Sequence, residues 1–262
     1  MFRIACIGDN CIDYYDASGD AFFGGNPVNA AVYFKRLGLD ASYFGAVGTD
    51  SFGQKLLTAL NGKGVDTKQV QILDGTTALT HVSVENGDRI FGDYDEGVMA
   101  CFSLREEDFE AIRKCDLAVT GLWGHCEKDL QKIRQMGVST AFDCSDRPDD
   151  PAARIAGKNA DILFFSDDRS NDGQLEQKMK HLAQDCPGLI VATRGENGSL
   201  AFDGTRFVRQ GIIPCSVVDT MGAGDSFIAG FLAAWLERKD LEECMRKGAE
   251  NSVVTLGYAG AW

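Results

Sequence analysis

Residues 217–227 read V-V-D-T-M-G-A-G-D-S-F, and no other stretch says more about the fold. The two valines predict a strand, Gly222 and Gly224 predict a tight turn, and the apolar residues 227–236 predict a buried helix. A glycine turn that leads into a helix lets successive backbone N–H groups converge at the positive end of the helix dipole. The stretch therefore predicts a strand-to-helix unit with an anion site at the helix N-terminus.

Asp225 stands at the start of this predicted helix. A carboxylate beside a phosphate site disfavours simple binding because like charges repel, but it suits a base that takes a proton from an attacking hydroxyl. The plainer interpretation is that Asp225 caps the helix and that the glycines only shape the turn. Spacing alone leaves both interpretations open.

Short apolar segments alternate with longer segments of helical character along the chain. They are residues 4–7, 43–47, 117–119, 162–165 and 189–192. This rhythm predicts a mostly parallel sheet with helices on both faces. Asn26 as a cap, Pro27 in the first turn and Gly38 at the end mark the first helix, and a second is predicted at residues 51–61.

Two regions interrupt the rhythm with hairpin patterns. Residues 81–85 alternate with period two, Asn86-Gly87 favours a type I′ turn, and residues 89–91 resume an extended strand. Residues 11–15 and 21–23 flank a turn-rich segment in the same way. Neither hairpin can bury a core of its own. We therefore expect lid strands at about 11–24 and 76–95, forming a small sheet on a single domain of residues 1–262.

The composition excludes several classes of protein. With 26 Lys and Arg against 39 Asp and Glu, the net charge is −13 and no basic stripe stands apart, so nucleic acid is not an expected partner. The longest apolar run, residues 227–236, is half of the roughly 20 residues that span a bilayer, so no membrane partner is expected. Nine scattered cysteines with three histidines support neither disulfides nor a zinc site. The N-terminus lacks a signal-peptide core, which predicts a cytoplasmic protein.

Residues 219–225 resemble the D-T-x-G-A-G-D signature of the ribokinase-like, or PfkB, carbohydrate kinases. Gly24-Gly25-Asn26, followed by Asn29-Ala30-Ala31, resembles the N-terminal signature of the same family. Two separated motifs in the expected order make the resemblance specific. It implies a ribokinase-like three-layer α/β/α fold, ATP as the phosphoryl donor and a small sugar-like molecule as the acceptor.

The resemblance also implies roles for individual residues. Asp225 is the implied base, and the loop of Gly222, Ala223 and Gly224, with the amide of Asp225 itself, is the implied anion hole for the transferred phosphoryl group. The implied sugar site has four members: Asp13, Gly25, Asn26 and Asn29. Without the resemblance, Asp13 is an ordinary hairpin residue.

For the nucleotide, the family has a T-x-G-x-x-G loop, which is matched here by Thr193, Gly195 and Gly198. Asn251, in the last predicted helix, is implied to border the adenine. Without the resemblance, the loop is a turn after a strand and Asn251 is a surface residue.

One departure from the family pattern concerns magnesium. Ser166-Asp167-Asp168-Arg169 replaces the N-x-x-E motif that orders the water shell of the ion, and Asp143-x-Ser145-x-Arg147 has serine in place of the asparagine of a related element. Because Mg²⁺ rests largely on waters and substrate phosphates, Mg-ATP stays the expected donor, with no protein ligand assigned. Activation by a monovalent cation such as K⁺ stays open.

Further segments resemble the subgroup of the family that phosphorylates the 6-hydroxyl of N6-fructosyl-lysine. They are residues 7–11, 89–94, 96–100, 123–125, Met221 and 260–262. Such a substrate carries a secondary ammonium and an amino-acid head, so its pocket should offer carboxylates and one cation. Asp9, Asp93 and Glu96 are the candidate carboxylates, and Arg89 is the candidate cation. The plainer interpretation is that these charges only solvate the lid.

Alternative functions follow from the same residues. The first is a kinase for a simpler sugar, such as fructose or a keto-deoxy sugar acid. A catalytically silent nucleotide-binding regulator would show an eroded base or loop, and both are intact. A dehydrogenase would need a G-x-G-x-x-G fingerprint, which is missing. Exposed lid edges could also pair two copies of the chain, which leaves a homodimer through the lid open.

Overall fold

The chain folds around a large mixed sheet. The computed structural model describes residues 1–85 and 88–262, without the side chains of residues 84–91. In this part of the chain the strands are β1 (Arg3–Ile7), β2 (Cys11–Tyr15), β3 (Ala21–Gly24), β4 (Asp40–Phe44), β5 (Ala46–Gly48), β6 (Gln71–Leu73), β7 (Leu79–Glu85), β8 (Asp88–Asp95), β9 (Leu117–Gly121), β10 (Ser139–Asp143), β11 (Ile162–Ser166), β12 (Leu189–Thr193), β13 (Ser199–Phe202) and β14 (Phe207–Gln210).

Eight of these strands lie in the order β14-β13-β12-β11-β10-β9-β1-β4. Every pair from β12 to β4 is parallel, and β13 and β14 continue the sheet as antiparallel strands. Consecutive side chains of β1 point to opposite faces, and Ile4 to Ile7 are all apolar and buried because helices cover both faces. The predicted mostly parallel, doubly covered sheet is confirmed.

The helices are α1 (Asn26–Arg36), α2 (Ser51–Gly62), α3 (Glu106–Ile112), α4 (Leu130–Gln135), α5 (Pro151–Gly157), α6 (Asp172–Leu182), α7 (Ala223–Leu236) and α8 (Leu241–Leu256). One face of the sheet packs against α1, α2, α7 and α8 through a core that includes Ile4, Phe164 and Phe231. The other face packs against α3 to α6. The three-layer α/β/α arrangement is thus confirmed. No helix in the described ranges has the length and apolar character to cross a bilayer.

A second sheet contains the two predicted hairpins. Its order is β3-β2-β7-β8, with β2 and β7 parallel and the outer pairs antiparallel. We refer to these four strands as the small sheet. The predicted turn at Asn86-Gly87 lies outside the described residues. The strand β2 follows β1 closely, and β3 is followed directly by α1. The small sheet is therefore attached to the large sheet at the carboxyl end of β1.

Two local predictions were wrong. Val217 and Val218 form no strand: their exposures are 58% and 63%, and the N–H of Val218 donates to the carbonyl of Leu256 at the end of α8. Asn26 is not the cap of α1, because Gly25 takes that position with φ 105° and Asn26 is the first helical residue. The Asn26 side chain is thereby free to face away from its own helix.

Candidate active site

Polar residues collect at the carboxyl end of the large sheet. Asp9 follows β1, Asp143 ends β10, and Thr193 ends β12. These parallel strands all end at one edge, where α1 and α7 also begin. Ligands of open α/β sheets bind in the crevice outside this edge. The fold therefore gathers residues that are far apart in sequence.

The glycine loop before α7 has the geometry that its sequence predicts. Gly222 has φ 71°, in the left-handed region that favours glycine. A Cβ atom there would lie 2.2 Å from the Tyr33 hydroxyl. Asp219 holds the loop by accepting hydrogen bonds from the N–H of Met221 at 3.0 Å and of Gly260 at 2.9 Å. Asp219, the first aspartate of the motif, therefore stabilises the conformation of the loop.

The start of α7 leaves backbone donors for an anion. The first helical hydrogen bond runs from the N–H of Ser226 to the carbonyl of Gly222 at 2.8 Å. The N–H of Ala223, expected in the anion hole, donates instead to the carbonyl of Thr220 at 3.2 Å. The amides of Gly224 and Asp225 lie in the first turn, where N–H groups have no partner within the helix.

Two asparagine side chains hold the carboxylate of Asp225. Nδ2 of Asn26 donates to Oδ1 at 2.7 Å, and Nδ2 of Asn29 donates to Oδ2 at 2.7 Å. Nδ2 of Asn26 also donates to Oδ2 of Asp143 at 2.8 Å, and its backbone N–H donates to Oδ2 of Asp9 at 3.2 Å. Asn26 therefore links three carboxylates from three different parts of the chain.

The three carboxylates share a poorly solvated environment. Burial raises the pKa of Asp225 to about 7; the hydrogen bond from Asn29 opposes this rise, and the neighbouring charge of Asp143 adds to it. Burial also raises the pKa of Asp143 to about 6 and that of Asp9 to about 6. An acid whose pKa lies near neutrality can both accept a proton from a substrate and release it afterwards. This environment suits the general-base role that the sequence predicts for Asp225.

A cavity of about 180 Å³ lies beside this cluster. Asp143, Thr193 and Gly224 line it, together with Ser145, Ser166 and three apolar residues of β11 and α7. The predicted nucleotide loop and the predicted anion loop thus meet at one space. Gly195 and Gly198, with φ 54° and 78°, form the turn between β12 and β13 that follows Thr193.

Asn251 is part of a network between helices. It is 6% exposed, its Nδ2 donates to the carbonyl of Ser226 at 2.7 Å, and its Oδ1 accepts from the Arg36 guanidinium at 2.8 Å. Asn251 is therefore not a surface residue, and it does not line the cavity beside Thr193. Its implied contact with adenine stays a prediction.

The candidates for the acceptor site fall into two groups: Asp9, Gly25, Asn26 and Asn29 lie around Asp225 and the start of α1, and the rest lie on the small sheet or just after it. Asp13 is half-buried on β2, where its Oδ1 accepts a hydrogen bond of 3.6 Å from the Cys11 thiol. The others belong to the edge of the small sheet or the turn that follows it. Glu96 pairs with Nε2 of His125 at 2.5 Å, Asp93 is exposed on β8, and the Arg89 side chain lies outside the described residues.

The sequence pattern did not reveal two members of the cluster. In the sequence, Asp143 belongs only to the segment that resembles a magnesium-related element, yet its carboxylate shares the Asn26 amide with Asp225. In the sequence, Trp262 belongs only to one of the segments that resemble the fructosyl-lysine subgroup, yet its indole Nε1–H donates to Oδ1 of Asn29 at 2.9 Å. Neither contact can be predicted from a local sequence pattern, since more than a hundred residues separate the two partners.

No group of three or more His, Cys, Asp or Glu side chains suited to a metal ion occurs in the part of the chain that the structure describes. A Mg²⁺ ion that is bound to a nucleotide keeps several waters and needs few protein ligands. Asp143, Ser145 and Ser166 line the cavity and offer the oxygen donors that Mg²⁺ prefers.

Comparison with known proteins agrees with this geometry. The pfkB family carbohydrate kinase model matches residues 1–262, and the chain belongs to this family. It is 43% identical to fructoselysine 6-kinase of Escherichia coli (strain K12) over 262 residues, 100% of both chains. It is 32% identical to fructosamine kinase FrlD of Bacillus subtilis (strain 168), with 99% of this chain and 93% of the relative covered.

Solved structures confirm the fold. The ribokinase of Arabidopsis thaliana, complexed with ribose and ATP, superposes with a TM-score of 0.88 over 99% of this chain and 93% of its own, at 22% identity. An uncharacterized sugar kinase from Pyrococcus horikoshii in complex with ATP gives a TM-score of 0.78 over 99% and 94%, at 23% identity. The predicted ribokinase-like fold is therefore confirmed.

Proposed function

We propose that this chain transfers the γ-phosphoryl group of ATP to the 6-hydroxyl of N6-fructosyl-lysine. The observation that carries the proposal is the environment of Asp225. Its carboxylate has a raised pKa, is held by two amides, and belongs to the first turn of α7 beside the glycine loop. A base and an anion site are therefore adjacent.

The chemistry follows from this adjacency. As the 6-hydroxyl oxygen attacks the γ-phosphorus, its proton passes to Asp225 and the bond from the γ-phosphorus to the bridging oxygen of ADP breaks. The amides of Gly224 and Asp225 stabilise the charge on the transferred group. A base of this kind typically contributes about 10²- to 10⁴-fold in rate, and one such donor about 10²- to 10³-fold.

The nucleotide is assigned to the cavity between Thr193 and Gly224 and to the glycine turn after β12. When bound, Mg²⁺ neutralises phosphate charge and orients the phosphates for transfer. The oxygens of Asp143, Ser145 and Ser166 would hold its water shell. Partial neutralisation matters here, because Asp9, Asp143 and Asp225 together would otherwise repel the phosphates.

The acceptor is assigned from charge as well as from similarity. The chain carries −13 overall, and the carboxylates of Asp9, Asp13 and Glu96 are assigned to the acceptor site. A secondary ammonium is attracted by such carboxylates, whereas a neutral hexose has no charge to pair with them. The relatives with 43% and 32% identity are named for a fructoselysine and a fructosamine substrate.

The small sheet is assigned the role of a lid. Its strands β2 and β3 connect to the site on both sides, at Asp9 and at Gly25. Closure over the sugar would exclude water that could otherwise accept the phosphoryl group. The outer strands β3 and β8 are also candidate edges for a homodimer. The reaction is assigned to the cytoplasm, where ATP is available.

A substrate panel tests the proposal. ADP release would be measured with fructosyl-lysine, fructose, ribose and a keto-deoxy sugar acid, and kcat/KM would be compared. We expect fructosyl-lysine to be preferred. A higher kcat/KM for free fructose would overturn the acceptor assignment, and ATP hydrolysis as fast without sugar as with it would overturn the lid.

A further inference from the structure

Trp262 contacts the active site through its indole nitrogen. Nε1–H donates a hydrogen bond of 2.9 Å to Oδ1 of Asn29, and Nδ2 of Asn29 donates one of 2.7 Å to Oδ2 of Asp225. The three side chains therefore form a continuous hydrogen-bonded path from the indole to the base.

The chemistry of the indole determines the direction of this path. An asparagine carboxamide has an acceptor at one end and a donor at the other, and the two ends exchange when the group rotates by half a turn. An indole N–H can only donate, so it pairs with the oxygen of Asn29. The NH₂ group is then the end that faces Asp225. In the reversed orientation an amide oxygen would face the carboxylate and repel it.

Trp262 itself is held by the two sides of the site. Its ring stacks on Phe23 of β3, with centroids 6.0 Å apart and an interplanar angle of 26°. The carbonyl of the preceding Ala261 accepts a hydrogen bond of 2.5 Å from the Tyr33 hydroxyl on α1. The place of the indole thus depends on the small sheet as well as on α1.

We propose that Trp262 is a positioning residue for the base: its indole N–H fixes the Asn29 carboxamide with the NH₂ group toward Asp225, and the stack on Phe23 ties this orientation to the small sheet. The inference rests on the proposed function of Asp225 as the base. Without the indole N–H, the carboxamide can adopt both orientations, and the carboxylate loses one of its two amide donors for part of the time.

The groups around Asp225 make it sensitive to this loss. Asp143 at the end of β10 and Asp9 after β1 both carry like charge, and Tyr33 of α1 also faces it. The hydrogen bonds from the neutral amides of Asn26 and Asn29 stabilise the charged form of Asp225 and so oppose this repulsion. Removing one donor should therefore disfavour the charged carboxylate and shift the acid limb of the pH profile of kcat/KM to higher pH.

Trp262→Phe tests the hydrogen bond, because it keeps an aromatic ring for Phe23 and removes the N–H. We expect kcat to fall about 10- to 100-fold, as for a misplaced catalytic group, with KM for ATP nearly unchanged. Trp235→Phe is the matched control: Trp235 lies on α7, packed against the core, and this variant should keep the wild-type pH profile. A wild-type kcat and pH profile in Trp262→Phe would overturn the proposal.

A double variant shows whether the effect passes through Asn29. If it does, Trp262→Phe combined with Asn29→Ala should lose no more activity than Asn29→Ala alone. Independent, additive losses would contradict the proposed path. Phe23→Leu keeps the N–H but removes the stack, and it should shift the acid limb in the same direction by a smaller amount. An unchanged profile in Phe23→Leu would disprove the link to the small sheet.

Two measures keep the test decisive. If Trp262→Phe does not fold, β-(3-benzothienyl)alanine at position 262 replaces the N–H by sulfur at nearly constant shape. All variants are assayed with the sugar that the wild type phosphorylates fastest. The activity of the wild type on the substrate panel then tests the proposed function. The ratio of the kcat of each variant to the kcat of the wild type tests the role of Trp262.

Discussion

Asn26 and Asp225 are 199 positions apart in sequence, and Nδ2 of Asn26 donates a 2.7 Å hydrogen bond to Oδ1 of Asp225. The same Nδ2 donates to Asp143 at 2.8 Å. One amide therefore separates two carboxylates that would otherwise repel each other directly. Burial raises the pKa of Asp225 to about 7, and the hydrogen bond from Asn26 opposes this rise while it orients the carboxylate.

The first prediction concerns the base itself. Asp225→Asn should lower kcat by about 10²- to 10⁴-fold, because the amide cannot take the proton of the attacking hydroxyl. ATP affinity should change much less, since the carboxylate acts on the acceptor. Steady-state ADP release and calorimetric titration of ATP measure the two effects. Equal losses in kcat and in ATP affinity would contradict this role.

The second prediction concerns the pH dependence of kcat/KM. Asp143→Asn removes a like charge beside Asp225, lowers its pKa and should shift the acid limb to lower pH by about one unit. Asn29→Ala removes a donor to the carboxylate and should shift the same limb to higher pH. Asp203→Asn, at an exposed turn before β14, is the control and should leave the limb in place. Shifts in the same direction for the first two variants would refute the account.

The third prediction concerns Gly222. Ala at a left-handed position costs roughly 1–2 kcal/mol, and Gly38→Ala, with φ 81° and no atom within 4 Å of the added Cβ, should lose about that much. Gly222→Ala should lose more, because the Cβ would lie 2.2 Å from the Tyr33 hydroxyl, which must then move. Urea unfolding of the two variants gives the comparison. Equal losses in the free energy of unfolding would contradict this prediction, because they would mean that the loop accommodates the Cβ without displacing Tyr33.

The fourth prediction concerns stability. The pKa values of Asp9, Asp143 and Asp225 are raised in the folded protein, so between about pH 4 and 7 the folded state binds more protons than the unfolded chain. The free energy of unfolding should therefore fall as pH rises from 5 to 7, on the order of 2 kcal/mol after solvent screening, and then level off.

Urea unfolding at several pH values tests this slope. Asp143→Asn should flatten it, because one of the three groups no longer titrates and its effect on Asp225 is lost. Stability that increases with pH between 5 and 7 would contradict the proposed cluster. Asp167 and Asp203, whose pKa values are lowered to about 2 by hydrogen bonds that outweigh any loss of solvation, act only below this window.

The fifth prediction concerns the acceptor. Glu96→Gln removes a carboxylate but keeps the shape and a hydrogen-bonding group for His125. We expect KM for fructosyl-lysine to rise several-fold while KM for fructose changes little, because only the first substrate carries an ammonium group. Equal changes for both sugars would remove Glu96 from the specificity site.

The sequence predicted the strands and the loop well, for a local reason. Ile4, Phe164 and Val191 belong to continuous apolar runs, and such runs indicate strands that are buried on both faces. The turn at Gly222 is predictable from the sequence because few residues other than glycine adopt a left-handed φ such as its 71°. The strand predicted at Val217 and Val218 was wrong, since β propensity does not show whether a neighbouring strand is present.

By itself, the sequence determined which residues form the glycine loop, which carboxylate follows it, and which segments build a doubly covered sheet, because turn geometry and apolar periodicity are encoded locally. Only the tertiary structure decided that Asn26 links Asp9, Asp143 and Asp225, and that Trp262 holds Asn29. These contacts arise where the parallel strands end, at the carboxyl end of the sheet. The pKa of Asp225 depends on the carboxylates that are gathered there and on the exclusion of solvent, rather than on its neighbours in sequence.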